Sequence, residues 1–223
     1  MSRRPDVREH DYEPQTGLPE ALPAGERLLW QGAPDWRVLA RRALHLRKFA
    51  AYFGVLVGWR VVTVLADGGG AGAALVSVAW MLPLAALSLG IMALFAWLVG
   101  KTAIYSVTDR RVVMRVGIVL TVTFNLPLAR IEAASLRDHG DGSGDISLLL
   151  NAQDRIGYLH LWPHTRPWRF TRTEPTLRAL ADVRAVAALL ADALAQTAAS
   201  GTVHDLERRP RPAAERDPLP TAA

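Results

Sequence analysis

Residues 71–99 read AGAALVSVAWMLPLAALSLGIMALFAWLV, without one charged side chain, and the run ends at Gly100–Lys101. A bilayer hydrocarbon core of about 30 Å needs about 20 apolar helical residues to cross it. The run is therefore long enough to span, with slack for tilt. Directly upstream, residues 49–66 (FAAYFGVLVGWRVVTVLA) form a second apolar run broken only by Arg60. Asp67–Gly70 between them leaves room for a turn and nothing more. The pair predicts a transmembrane hairpin, with one helix over 49–66 and the other over 75–99. Pro83 predicts a kink in the second.

Charge orients the hairpin. Arg37, Arg41, Arg42, Arg47 and Lys48 precede the first span; Lys101, Arg110, Arg111 and Arg115 follow the second; the connecting turn carries one Asp and no base. Cytoplasmic flanks hold the Lys/Arg excess, so both termini are expected in the cytoplasm. The protein is then expected in the cytoplasmic (inner) or an intracytoplasmic membrane. Arg60 lies about 9 Å from the far end of its span at 1.5 Å per residue. A guanidinium can snorkel that distance to the headgroups beside Trp59. The other reading is a contact with a partner, since intramembrane charges face protein or water. Gly54-xxx-Gly58 and Ala86-xxx-Gly90 permit close helix approach, either within the hairpin or to a partner, a second copy included. Gly54, Gly58, Trp59, Arg60, Ala86 and Gly90 are thus candidate partner or helix-packing contacts.

The segment 24–48 reads as cytoplasmic or interfacial. Within it Asp35–Lys48 suggests an amphipathic helix, N-capped by Asp35. Trp36, Leu39, Ala40, Ala43 and Leu46 share one face; Arg37, Arg41, His45 and Lys48 lie opposite. Such a helix sits at a membrane surface with its bases on anionic headgroups. Arg37, Arg41, Lys48, Lys101, Arg110 and Arg111 are accordingly candidate anionic-lipid contacts. His45 offers one position for a pigment magnesium, although a solvated interfacial histidine is the ordinary reading.

Beyond Thr102 the pattern changes to short β-type runs: 103–107, 112–116, 120–124, 133–137, 146–150, 156–161, and a weaker one at 168–171. Thr108–Asp109, Gly117 and the DHGDGSGD stretch over 138–145 supply turns. Asp182 reads as the N-cap of a helix to about Ala198, with Val183, Val186, Ala187, Leu190 and Leu194 in one stripe. Residues 102–198 thus predict a small α+β barrel or sandwich with a C-terminal helix over one open end. The polar, Pro-rich stretches 1–23 and 199–223 read as disordered tails.

No catalytic constellation emerges. The chain has no cysteine and a net charge of +5, which excludes disulfides and thiolate chemistry. His160 and His164 flank Pro163 at an expected strand end, where the helical i, i+4 geometry does not apply. DHGDGSGD lacks the D-x-D-x-D-G order and distal Glu of a calcium loop. GxSxG is absent, and the first 40 residues contain no apolar signal-peptide core. No enzyme activity, metal or resident cofactor is expected.

Two strings carry a resemblance. Tyr105-Ser-Val-Thr-Asp-Arg-Arg111 followed by Val112-Val-Met-Arg-Val-Gly117 resembles the opening hairpin of bacterial pleckstrin-homology (PH)-like membrane proteins, in which a transmembrane hairpin precedes a Y-x-hydrophobic-T-x-x-R…G strand pair. Leu22-Pro-Ala-Gly-Glu-Arg-Leu-Leu-Trp-Gln-Gly-Ala-Pro-Asp-Trp36 and Leu44-His-Leu-Arg-Lys-Phe-Ala-Ala-Tyr-Phe53 are similar to the PuhB family of photosynthetic complex assembly proteins from purple bacteria. Leu161-Trp-Pro-His164 and Glu174-Pro-Thr-Leu-Arg-Ala179 fit that family too, and the likeness runs from about Leu18 to Ala195. It implies a PH-like domain behind the hairpin and a non-enzymatic assembly factor. The factor would bind subunits of the photosynthetic reaction centre, and secondarily the light-harvesting 1 antenna. A general membrane-anchored lipid- or peptide-binding module is the alternative, and bacteriochlorophyll delivery through His45 a further one. Nucleic acid is not an expected partner.

Overall fold

The computed structural model describes residues 18, 20–151, 156–169 and 172–208, the last eight as backbone alone. The expected tails over 1–17 and 209–223 lie outside these residues. Leu18, placed in the N-terminal tail by composition, is buried, and the C-terminal helix runs past Ala198 to Arg208.

The two apolar runs form helices α2 (Leu46–Ala66) and α3 (Ala71–Thr102). Among the described residues these are the two helices long and apolar enough to cross a membrane. Their side chains are largely exposed within the chain, as a hairpin built to meet lipid or other protein would leave them. α3 continues through Pro83. It also outruns α2 by eleven residues, about 16 Å at the helical rise. That overhang meets the segment before α2. There Trp36–Val38 (α1) leads into a π-turn over Leu39–Ala43, closed by Leu44 N–H to the Leu39 carbonyl at 3.0 Å. Val38, Leu39 and Ala40 bury against Ala96 and Val99 of α3.

The amphipathic helix expected over Asp35–Lys48 is therefore corrected. It breaks at His45, which adopts left-handed backbone (φ 55°). One straight rod cannot both cross the overhang of α3 and pair antiparallel with it. Asp35 does cap the first turn, its Oδ1 accepting Arg37 N–H at 2.8 Å.

The rest is two antiparallel sheets. β1 (Leu28–Gly32), β2 (Ile104–Thr108), β3 (Arg111–Val116) and β4 (Val122–Pro127) pair in that order. β5 (Ile131–Asp138), β6 (Gly144–Leu150) and β7 (Thr176–Leu180) make the second sheet. Inward residues of both sheets share one core with α5 (Val183–Arg208), whose Val183, Val186, Leu190 and Ala193 are buried. Asp182 Oδ1 accepts Ala185 N–H at 3.3 Å, the N-cap geometry expected of it.

Three strand expectations need correction. Tyr158–Leu161 is a helical turn (α4) and not a strand. Leu120 lies exposed in the β3–β4 loop, with pairing resumed at Val122. Trp168 and Arg169 belong to no strand, and residues 170–171 lie outside the described set. DHGDGSGD is the β5–β6 connection, as read, with Gly140 and Gly142 at φ 86° and 82°.

Candidate functional site

The residues that carried the resemblance are far apart in the chain and meet in two places. In the first, Arg111 grips Glu26 with both ends of its guanidinium, Nε to Oε1 at 2.7 Å and Nη2 to Oε2 at 2.9 Å. Thr108 Oγ1 joins them at 2.8 Å from Glu26 Oε1 while accepting the Arg110 and Arg111 N–H groups. Planar bidentate pairing is the strong form of this bond. It pins the chain just ahead of β1 to the β2–β3 hairpin across 85 residues of chain. Gly117 closes the next turn at φ 128°, where a Cβ would lie 2.0 Å from the Leu120 carbonyl oxygen.

In the second place, Arg178 N–H donates to Tyr105 Oη at 3.3 Å, and the same hydroxyl shares a hydrogen bond with His164 Nδ1 at 2.5 Å. Both rings are buried. Burial, reinforced by the charge of Arg178, pushes His164 down to about 3, so its ring is neutral. Burial likewise drives Tyr105 upward. Arg178 donates from Nη2 to the Thr165 carbonyl at 2.6 Å. Burial lowers its pKa, with Asp145 opposing.

Arg178 also lines a cavity of about 700 Å³ between the β5–β7 sheet and the root of α2. Arg41, Arg42, Arg47, Lys48 and Arg137 share its wall, with Asp145 as the one carboxylate. That carboxylate is already engaged. Its Oδ1 accepts Ala179 N–H at 2.9 Å, holding Ala179 at φ 54°, and its Oδ2 lies 3.5 Å from His139 Nε2. Three polar atoms of lining residues, Arg178 Nε, Thr165 Oγ1 and His139 Nε2, are buried and have no hydrogen-bond partner among the described residues. Trp162, Trp168 and Tyr158 also line it. Trp162 stacks on Phe95 of α3 with centroids 5.3 Å apart. His45 borders the same space, its pKa lowered by burial and then by Lys48, Arg178 and Arg137.

The root of the hairpin and the sheet are fastened together at this point. Asp35 N–H donates to the Ala179 carbonyl at 2.8 Å, Arg42 Nη2 reaches the His139 carbonyl at 3.4 Å, and Ala179 packs with Leu39 and Val99.

The residues singled out from sequence divide accordingly. Arg41 and Lys48 line the cavity with Arg42, Arg47 and His45. Arg37 stacks its guanidinium 5.5 Å over Trp36; Lys101 and Arg110 are exposed elsewhere. Arg111, expected on lipid, is engaged by Glu26 instead, because a buried carboxylate beneath it offers the better partner. On the helices, a Cβ added at Gly54, Gly58 or Gly90 would meet nothing within 4 Å. These glycines therefore do not serve packing of the hairpin on itself, where Ala74 and Ala85 are the buried small residues. Trp59, Arg60 and Ala86 are exposed too. Sequence reading missed Arg137, Asp145, Tyr158, Trp168 and Arg178 as site residues. The sequence readings that touched that neighbourhood were the bases at 41–48, the DHGDGSGD turn that contains His139 and Asp145, and the strings LWPH and EPTLRA.

Residues 49–194 match the family model described as a bacterial PH domain. A protein of Rhodobacter capsulatus, described as an uncharacterized 23.7 kDa protein in the puhA 5′ region, is 38% identical over 184 residues, covering 82% of this chain and 86% of that one. No solved structure matches.

Proposed function

The chain belongs to the bacterial PH domain family, and on that premise we propose that it is a non-enzymatic, membrane-anchored assembly factor. Its clients are nascent subunits of the photosynthetic reaction centre and, secondarily, the core light-harvesting antenna. The observation that carries this reading is the relative in the puhA 5′ region. The puh stem is shared with the assembly-protein family that the Leu22–Trp36 string resembles.

α2 and α3 cross the bilayer together with both termini in the cytoplasm. Trp80 and Trp97 of α3, both exposed, stand seventeen residues or about 26 Å apart, close to the spacing of two interfacial aromatic belts. Exposed Val119, Leu120, Trp162 and Trp168 are grouped about the hairpin root, where Ile118 and Phe95 pack. They form an apolar collar suited to the interface. Assembly then requires only differential affinity: the factor binds incomplete intermediates better than the finished complex. The unpacked Gly54/Gly58/Gly90 faces, Trp59 and Arg60 are the intramembrane contact surface, and the exposed β5 edge is the cytoplasmic one.

Deletion of the gene, followed by absorbance spectra of the membranes, tests the reading. Loss of reaction-centre bands with pigment synthesis intact supports it; unchanged bands sink it. Tagged protein should recover reaction-centre subunits from solubilised membranes. Near-infrared absorbance in the purified protein would instead favour pigment delivery through His45. A second reading, a general anionic-lipid module without photosynthetic clients, is favoured by the cationic cavity alone.

A further inference from the structure

We propose that the cavity between the root of α2 and the β5–β7 sheet is a binding site for a phosphate group, presented as the headgroup of an anionic phospholipid. Six permanent cations line it against one carboxylate, and one oxygen of that carboxylate already accepts the Ala179 N–H. Asp145 offsets one of these charges, and the lining residues supply no counterpart to the remaining five. Surface arginines and lysines normally spread into solvent; here three separate stretches of chain (41–48, Arg137 and Arg178) bring them around one space. Cations converging in a recess with low-dielectric walls raise the local potential for anions.

Arg178 makes the recess more than a surface patch. It is 8% exposed and held from behind by the Thr165 carbonyl, while its Nε remains without an acceptor among the described residues. Thr165, 2% exposed, likewise has its hydroxyl unmatched. Buried donors left unmade are costly, and a phosphate oxygen satisfies both donor types. Arginine forks suit that geometry better than a point charge would.

The lipid source follows from where the mouth lies. Arg47 and Lys48 belong to the first turn of α2, and Trp162 reaches from the cavity wall to Phe95 on α3. An amphiphile with its phosphate in the recess has an apolar helix surface beside it for its chains. The lipid arm rests on the membrane placement proposed above; it does not depend on the assembly role.

The test uses the full chain in neutral detergent micelles, with dioleoyl phosphatidylglycerol as probe, dioleoyl phosphatidylcholine as comparison, and native mass spectrometry to count adducts. Two double variants carry the same change in net charge: Arg47→Glu with Arg137→Glu in the cavity, and Lys101→Glu with Arg110→Glu outside it. All four positions are exposed, and circular dichroism verifies folding. A saturable one-to-one phosphatidylglycerol adduct is expected, weakened about thirtyfold in the cavity variant and less than about threefold in the outer one. Displacement of the lipid by millimolar inorganic phosphate, with direct phosphate binding lost in the cavity variant, would keep the phosphate site and overturn its lipid source. No adduct with either probe, equal loss in both variants, or equal binding of phosphatidylcholine would overturn the proposal. The deletion phenotype is a separate readout, so failure here leaves the assembly reading to its own experiment.

Discussion

Acidification from pH 7 to pH 5 should weaken the folded domain through His164. The imidazole is held at about 3 in the folded chain against 6.5 when free, so between those values the unfolded chain binds a proton that the folded one refuses. For a base lowered in this way, stability is full above the unfolded pKa and falls as pH drops below it. Integrating the two titrations from pH 7 to pH 5 gives a loss of about 2 kcal/mol. His45, also lowered, contributes with the same sign, so the comparison must be made against a variant. His164→Gln retains an acceptor for Tyr105 Oη but does not titrate. Above pH 5 the lowered carboxyls of Asp138 and Asp141 stay ionised and do not intrude. Denaturant unfolding of the full chain in neutral detergent, followed by near-ultraviolet circular dichroism, reads the difference. Wild type should lose about 2 kcal/mol more than His164→Gln between the two pH values. Parallel pH profiles would refute a buried neutral His164. At the alkaline end Tyr105, raised by burial, acts in the opposite sense: its contribution is lost as pH climbs past the ordinary tyrosine value of 10.0.

Other outcomes follow from the packing. Glu26→Gln should cost about 2 kcal/mol in the same unfolding assay, since it breaks a charged bidentate pair whose arginine is only partly solvated; Glu26→Gln with Arg111→Met should recover part of that loss. Gly100→Ala places a Cβ 2.8 Å from Trp36 Cβ and 3.2 Å from the Pro34 carbonyl oxygen. It should destabilise by about 1–3 kcal/mol through overpacking, with increased protease sensitivity before α2. Gly54→Ala, Gly58→Ala and Gly90→Ala, whose Cβ atoms meet nothing, should leave the isolated protein's stability unchanged but reduce recovery of reaction-centre subunits in pull-downs.

Much of the architecture was legible because its signals are local. An unbroken apolar run marks α3 whatever surrounds it, and alternation with turn residues marks β2, β3, β5 and β6. The failures are elements whose character is set by distant partners. β7 is TLRAL, buried along its whole length. Its arginine disguises a core strand, because the polar chain that accommodates Arg178 comes from Tyr105, Thr165 and Asp145. IGYLHL alternates like a strand, yet α4 forms there, turning Leu161 into the core and leaving Leu159 and His160 outside. The single helix expected before α2 fails for a related reason, since its break at His45 answers the overhang of α3. The candidate site was half visible. The bases at 41–48 stand together in the sequence, whereas Arg137 and Arg178 reach them only through the β5–β6–β7 register.

The central claim, that α2 and α3 cross the membrane together and leave the β-domain in the cytoplasm, has a direct test in a chain that contains no cysteine. Asp67→Cys in the turn and Ser135→Cys on β5, both exposed positions, would be probed separately with a membrane-impermeant maleimide on intact spheroplasts. The account predicts labelling at 67 without permeabilisation and at 135 only after it. Labelling at 135 in intact spheroplasts, or protection of 67 that permeabilisation relieves, would contradict it.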